Sequence, residues 1–407
     1  MDLRLTHNSK KCQGVLNITG SKSETNRLLL LKALFSDFEI KNISNSDDSR
    51  IMEESLKSSE KIIDIHHAGT AMRFLTAYFS QLEGREVILT GSKRMQDRPI
   101  KILVDSLISL GADIKYENKN GFPPLRINGK KLIGGSIELP ANISSQFISA
   151  LILIAPTLQN GLELNLLGKT TSLPYINMTL FLLQNFGVNT YFDGKKIKIN
   201  HKSKFKKINQ SVESDWSSAS YFYSIVALSD YAEIHLSSYR SKSLQGDSIL
   251  KEIYKKLGVL SAFKGNKLIL KKMKINIPEK IDLDLSKAPD IAQTIAVTCY
   301  GLGIGCMLEG LHTLKIKETD RLVALEKELN KLGAKVKVTK NSLHLIHGNN
   351  FNQNCSISTY NDHRMAMSFA PLSLKIPLII KDYKVVSKSY PNFWEDLVKL
   401  NFKIEKR

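Results

Sequence analysis

A helix that stops at a turn residue and runs directly into an alternating strand recurs five times along this chain. The copies read "LVDSLISLGADIKY" (103–116), "FLLQNFGVNTYF" (181–192), "LKEIYKKLGVLSAF" (250–263), "LEKELNKLGAKVKV" (325–338) and "FWEDLVKLNFKIEK" (393–406). The stops are Gly111, Gly187, Gly258, Gly333 and Asn401, at intervals of 76, 71, 75 and 68 residues. Glycine and asparagine are the residues that best tolerate the left-handed backbone closing a helix. A period near seventy is too long for a solenoid repeat and fits two strand–helix pairs with one further strand. Six such units, the first near residues 20–80 and less regular, fill 407 residues. That length exceeds the ~250–300 residues at which a single hydrophobic core stops growing. The pattern predicts an α/β chain of two domains, each with three units packed around buried helices.

The bulk properties exclude several classes. The longest apolar run, "FISALILIAPTL" (147–158), is shorter than the ~20 residues that span a bilayer. The N-terminal stretch has no hydrophobic signal core, so the expectation is a cytoplasmic protein without membrane partners. Cys12, Cys299, Cys306 and Cys355 show no metal-ligand spacing and the nine histidines form no HExxH cluster; neither a metal nor a cofactor is expected. The net charge of +19 suits nucleic acid, an anionic membrane or a small polyanion. Runs such as "KSKFKK" (202–207), with Phe205 its single aromatic, and "KKMK" (271–274) read as solvated faces. A P-loop is a near miss: five residues separate Gly14 from Gly20, and the order that follows is Gly-Ser-Lys.

Chemistry-bearing residues gather where apolar helices begin. "TGSKSETNRLLLLKALF" (19–35) places Lys22 between Ser21 and Ser23, with Arg27 one turn on. "HHAGTAMRFLTAYF" (66–79) has Gly69, Thr70 and Arg73, and "GSKRMQDRPI" (91–100) has Arg98 before a proline. "NISSQFISALIL" (142–153) opens with Ser144, Ser145 and Gln146, "TTSLPYI" (170–176) offers Ser172 and Tyr175, and "VESDWSSASYFY" (212–223) has Asp215, Ser217 and Ser218. In "SKAPDIAQTIAV" (286–297), Asp290 taken singly is an N-cap. "LKIKETDRLVALEKEL" (314–329) groups Lys317, Glu318, Asp320 and Arg321; "YNDHRMAMSFA" (360–370) groups Asp362, His363 and Arg364; "SKSYPNFWEDL" (387–397) supplies Lys388. Caps explain the serines and aspartates one at a time. They do not explain Lys22, Arg73, Lys317, Arg321 and Arg364, because a cation in the first turn opposes the helix dipole. A resident anion would offset that penalty, so the expectation is several helix N-termini converging on a polyanion site between two domains.

The stretches "GSKSETNR", "AGTAMRFLTA", "RMQDRPI", "SSQF", "SDWSSASYF", "KIKETDRL", "YNDHRMAM" and "KSYPNFWEDL" resemble, in order, the 5-enolpyruvylshikimate-3-phosphate synthase family, over residues 20 to 397. The resemblance implies the two-domain enolpyruvyl transferase fold, an inside-out α/β barrel with three βαβαββ units per domain. It implies an N-terminal domain over 19–213, a discontinuous C-terminal domain of 1–18 plus 214–407, and an interdomain active site. The implied reaction transfers the enolpyruvyl group of phosphoenolpyruvate to the 5-hydroxyl of shikimate 3-phosphate, releasing phosphate by addition and elimination. Carried over by motif, Lys22 touches both substrates. Ser23, Arg27, Ser144, Ser145, Gln146, Ser172, Tyr175, Asp290, Thr313 and Lys317 would bind shikimate 3-phosphate. Gly69, Arg98, Gln146, Arg321, Arg364 and Lys388 would bind phosphoenolpyruvate. Asp290 would take the proton of the attacking hydroxyl and Glu318 would handle protons at the methylene carbon. The chain departs from the family pattern at His67, where Asn is usual, at Leu173 beside Ser172, at Thr313 where Asn is frequent, and at Thr19 where Pro is common.

Two other readings stand beside this one. The related transferase acting on UDP-N-acetylglucosamine carries a reactive cysteine in a loop of its N-terminal domain, and here the one cysteine before residue 299 is Cys12. A basic nucleic-acid-binding protein is the reading from another class; no nucleic-acid partner is expected beside the two small substrates, and a monomer is expected on family grounds.

Overall fold

The structure, a computed structural model, describes residues 1–35, 38–140, 144–168, 173–206, 208–346, 348 and 351–407. The chain forms two compact units, one of Gly20–Val212 and one of Met1–Thr19 with Glu213–Arg407.

One sheet topology appears five times. In Gly20–Val212 the strands lie in the orders Ile62–Asp64, Glu86–Thr90, Leu125–Asn128, Asp113–Tyr116 and Gly135–Pro140, Leu162–Leu167, Lys196–Ile199, Thr190–Phe192. In the second unit the orders are Lys11–Leu16, Tyr231–Leu236, Lys267–Lys272, Val259–Lys264; then Lys280–Asp284, Gly305–Glu309, Leu343–Ile346, Lys335–Val338; then Ser356–Ile357, Leu378–Ile380, Leu3–Thr6, Lys403–Lys406. Each sheet has one parallel pair followed by two antiparallel pairings. A parallel pair needs a crossover, and here each crossover contains a buried helix. The crossover from Lys11–Leu16 to Tyr231–Leu236 also contains the whole of Gly20–Val212.

The first repeat differs from the expectation of a unit over 20–80. The strand Ile62–Asp64 already belongs to the next sheet, and among the described residues the first repeat has only Ile40–Lys41 paired in parallel with Gln210–Ser211. Nor do the described strands close into a continuous barrel wall; they form separate small sheets.

The crossover helices are largely buried on every side and mostly apolar, as a helix without a solvent face must be. All thirteen residues of Trp216–Leu228 are buried, and only Leu302 of Ala292–Leu302 is not. Their contacts preserve the repeat. Ser220 Oγ lies 3.1 Å from Thr294 Oγ1, which lies 3.1 Å from Ser368 Oγ on the helix His363–Phe369, each step being 74 residues. Thr298 Oγ1 donates to Ser224 Oγ at 2.8 Å with the same spacing. In Gly20–Val212 the spacing is 76: Gln146 Nε2 donates to Thr70 Oγ1 at 3.2 Å. Corresponding positions therefore meet near the starts of corresponding helices, which is where the chemistry-bearing residues lie.

The five helix stops behave as the sequence requires. Gly111, Gly187, Gly258, Gly333 and Asn401 have φ of +101°, +76°, +81°, +102° and +68°. Nothing occupies the space a Cβ on Gly111 would take, so Gly111→Ala isolates the dihedral cost. We expect a loss of about 1–2 kcal/mol in urea unfolding of the full chain; an unchanged midpoint would contradict this.

Candidate active site

In the unit of Met1–Thr19 and Glu213–Arg407, Arg321 is the first residue of the helix Arg321–Lys331 and only 2% exposed. Its Nε donates to Asp362 Oδ2 at 2.7 Å, Nη1 to Asp290 Oδ1 at 2.8 Å and Nη2 to Glu318 Oε2 at 2.8 Å. Lys317 Nζ lies 3.2 Å from Asp290 Oδ1, and Lys388 Nζ lies 2.7 Å from Glu318 Oε1. Arg364 Nη1 donates to the Asp290 carbonyl at 3.2 Å, and its Nη2 lies 3.6 Å from Asp290 Oδ2. Four cations thus share three carboxylates in one cluster that is closed at Arg321 and Asp362 and partly open at Lys317 and Asp290.

Local sequence explains the placement. Pro289–Ile291 is a short 3-10 turn that leads into Ala292–Leu302, and Asp290 makes no cap bond within it. The cap expected for Asp290 taken singly is replaced by its pairing with the cations. Asp320 caps Arg321–Lys331 through the N–H groups of Leu322 and Val323, which frees Arg321 to turn away from the dipole. Asp362 caps His363–Phe369 through the Arg364 N–H at 2.9 Å. It follows Tyr360 and Asn361, both left-handed at φ +53° and +54°. Such backbone persists only where its surroundings hold it; the Tyr360 hydroxyl and Ser358 N–H both donate to buried Glu328, at 2.7 and 3.1 Å.

The electrostatics are those of shared charge. Burial would raise the Asp290 carboxyl, yet Lys317, Arg364 and Arg321 outweigh it and hold the group far below the usual carboxylate range. Burial lowers Lys317, against the opposing pull of Asp290. Thr313 lies in the 3-10 helix His312–Ile316, its buried hydroxyl without a partner among the described residues.

The unit Gly20–Val212 gathers the other expected residues at the starts of Lys22–Phe35, Gly69–Gln81 and Ser145–Ile154. Lys22 Nζ pairs with Asp48 Oδ2 at 3.1 Å. Ser144 caps its helix by accepting from the Gln146 N–H, and Ser145 is buried. Arg98 closes a turn after Lys93–Gln96 and lays its guanidinium against Gly69, where a Cβ would come within 2.5 Å of Nη1. Arg27 is buried and internally bonded: Nε to Thr179 Oγ1 at 2.7 Å, Nη1 to the Ser23 carbonyl at 2.7 Å, Nη2 to Ser149 Oγ at 2.9 Å and to the Tyr175 carbonyl at 3.4 Å. Burial lowers it to about 10. Ser172 lies outside the described residues.

Three comparisons bear on this arrangement. The family model for EPSP synthase (3-phosphoshikimate 1-carboxyvinyltransferase) matches residues 53–397. A 3-phosphoshikimate 1-carboxyvinyltransferase of Bacteroides fragilis (strain YCH46) is 44% identical over 397 residues, covering 97% of this chain and 96% of that protein. The chain belongs to the EPSP synthase family. A second relative, the 3-phosphoshikimate 1-carboxyvinyltransferase of Haemophilus influenzae (strain PittEE), is 36% identical over 430 residues, covering 95% of this chain and 96% of its own. Among solved structures, EPSP synthase from Acinetobacter baumannii shares the fold with a TM-score of 0.80 at 20% identity, covering both chains fully. The enolpyruvyl transferase NikO from Streptomyces tendae shares it with a TM-score of 0.75 at 13% identity, over 99% of this chain and 98% of that one.

Within this EPSP synthase family chain, the cations are marked by the sequence but not all their partners are. In the sequence Asp362 reads as one more helix-start acid and Thr70 as part of a helix entry, and nothing there marks Asp48 or Asp247. The 76-residue repeat was the available signal for Thr70. At Lys22, Lys317, Arg321 and Arg364 the structure sets the protein's own carboxylates against the helix-start cations, whereas Arg73 donates to the Gly69 and Pro99 carbonyls. Removing one partner of a buried ion pair costs about 3–5 kcal/mol. We expect a loss of that size for Asp362→Ala in chemical denaturation; a loss below about 1 kcal/mol would show that the pairing is solvent-screened.

Proposed function

We propose that this chain is a 3-phosphoshikimate 1-carboxyvinyltransferase, moving the enolpyruvyl group of phosphoenolpyruvate to the 5-hydroxyl of shikimate 3-phosphate and releasing phosphate. The observation that carries the reading is the cluster of Lys317, Arg321, Arg364 and Lys388 around Asp290 and Glu318, in a chain of this family. Each substrate carries a carboxylate and a phosphate of about −1.5 to −2 charge, so the pair demands many cations in a dry setting.

In this reading Arg364 and Lys388 exchange Asp290 and Glu318 for substrate oxygens, arginine's planar fork engaging two at a time. Arg321 keeps Asp362 and stays as fixed positive charge. Substrate anions then draw positive charge away from Asp290, whose carboxyl rises from its depressed value and becomes a competent base. Asp290 accepts the 5-hydroxyl proton as that oxygen bonds to C2 of phosphoenolpyruvate, and Glu318 delivers a proton to C3. In the second step a C3 proton returns to Glu318, the C2–O bond to phosphate breaks as the departing phosphate takes up the proton held by Asp290, and the C2–C3 double bond re-forms. Fixed cations stabilise the charge that develops on the phosphate. Lys22, Ser23, Arg27, Gly69, Arg98, Ser144, Ser145, Gln146, Ser172 and Tyr175 of the other unit serve the same two substrates, as does Thr313. The reaction needs only side chains as acid and base.

The UDP-sugar reading loses its nucleophile here. Cys12 lies buried in the strand Lys11–Leu16, and burial pushes its thiol up to about 11. Among the described residues, no helix is long and apolar enough to cross a membrane. We further propose a cytoplasmic monomer without a nucleic-acid partner.

Phosphate release should require shikimate 3-phosphate and phosphoenolpyruvate together, and Lys22→Ala, Asp290→Ala and Arg364→Ala should each slow it by about 10²–10⁴-fold with the fold intact. Release with a UDP sugar in place of shikimate 3-phosphate would overturn the reading. Glyphosate should compete with phosphoenolpyruvate. Gly69→Ala must displace the Arg98 guanidinium, so it should raise the KM for phosphoenolpyruvate by about tenfold or more and weaken glyphosate with it; an unchanged KM would remove Arg98 from the binding set.

A further inference from the structure

A carboxylate that the proposed mechanism does not use lies behind Arg364. Asp247 belongs to the 3-10 turn Gly246–Ile249 and is 3% exposed. Its Oδ2 accepts the hydroxyl proton of Ser217, and its Oδ1 has no partner among the described residues. Ser217 Oγ in turn accepts from Arg364 Nη2 at 3.2 Å. The neighbouring residues fix this path. Gln245 accepts the Trp216 N–H at 2.9 Å and donates to the Ser214 carbonyl at 2.9 Å, clamping the 245–247 turn onto the start of Trp216–Leu228.

A serine hydroxyl can donate or accept. With its proton committed to Asp247, Ser217 presents only lone pairs to the guanidinium. Without that commitment the hydroxyl is free to rotate its proton toward Arg364. Arg364 would then be left with the Asp290 carbonyl and the longer contact to Asp290 Oδ2, both on the residue expected to act as base. Asp247 is therefore placed so that Arg364 need not depend on Asp290 for its orientation. The raised carboxyl of Asp247, pushed up by burial to about 6 against the attraction of Arg364, is the expected cost of keeping an acid in this place.

We propose that Asp247 is a positioning residue for the transfer reaction: through Ser217 it sets the guanidinium of Arg364 for the carboxylate or phosphate of phosphoenolpyruvate. The inference rests on the reading of Arg364 as a phosphoenolpyruvate ligand.

Steady-state kinetics of the full chain, with each substrate varied in turn, provides the test. A hydrogen bond to a charged group contributes about 1.5–3 kcal/mol, so Asp247→Ala should raise the KM for phosphoenolpyruvate about tenfold to a hundredfold. The KM for shikimate 3-phosphate should stay within about twofold, a difference under the 1.4 kcal/mol of a tenfold change. Asp247→Asn retains an acceptor for Ser217 and should restore most of the affinity. Ser217→Ala should match Asp247→Ala, and the double variant should be no worse than either single one. If Asp247→Ala does not fold, the Asn and Ser217 variants carry the comparison. Unchanged KM for phosphoenolpyruvate in Asp247→Ala or Ser217→Ala overturns the inference, as does equal weakening of both substrates or full additivity in the double variant. Arg364→Ala measured alongside separates the two failures: unchanged phosphoenolpyruvate affinity there would sink the reading of Arg364 itself.

Discussion

The arrangement in Met1–Thr19 and Glu213–Arg407 depends on one buried guanidinium shared by three carboxylates. Arg321 is bonded to Asp290, Glu318 and Asp362, which come from three separate stretches of chain. A buried ion pair gains little over well-packed apolar residues, because desolvation consumes most of the Coulomb attraction. What it supplies here is geometry. Each carboxylate bound to Arg321 also meets another group: Asp290 meets Lys317 and Arg364, Glu318 meets Lys388, and Asp362 caps the helix that carries Arg364. Fixing Arg321 therefore orients every side chain to which the mechanism assigns a role in this unit, Thr313 apart.

Those stretches meet because the chain is built by repetition. Helices 74 residues apart touch through Ser220, Thr294 and Ser368, so their N-terminal ends gather as well. Ser217, Asp290 and Arg364 all lie at or beside such starts. Buried hydroxyls at matching positions keep the register, since an unpaired buried hydroxyl would be destabilising. The 76-residue spacing in Gly20–Val212 does the same for Thr70 and Gln146. In Trp216–Leu228, Ala292–Leu302 and His363–Phe369 the charged residues thus fall at or just before the helix start.

The repeat and its stops were legible because positive φ after a helix has a residue signature, and all five positions carry it. The family was legible because its motifs are stretches of polar residues that no packing rule requires. Partner choice was not legible. An aspartate before an apolar helix looks the same whether it caps, as Asp320 does, or neutralises a cation, as Asp290 does. Asp362 does both. Arg27 reads as a cation one turn into a helix, and nothing in the sequence announces its bonds to Thr179, Ser149 and two carbonyls. The incomplete first repeat escaped because strands of two residues, Ile40–Lys41 and Gln210–Ser211, have no alternation to read.

In the proposed reaction the protein's own carboxylates hold the places that substrate anions take. A crystal structure of this chain with shikimate 3-phosphate and glyphosate bound tests it directly. Ligand oxygens are expected about 3 Å from Lys388 Nζ and the Arg364 guanidinium, with Arg321 still on Asp362. Lys388 and Arg364 remaining on Glu318 and Asp290, with the ligands bound elsewhere, would contradict it.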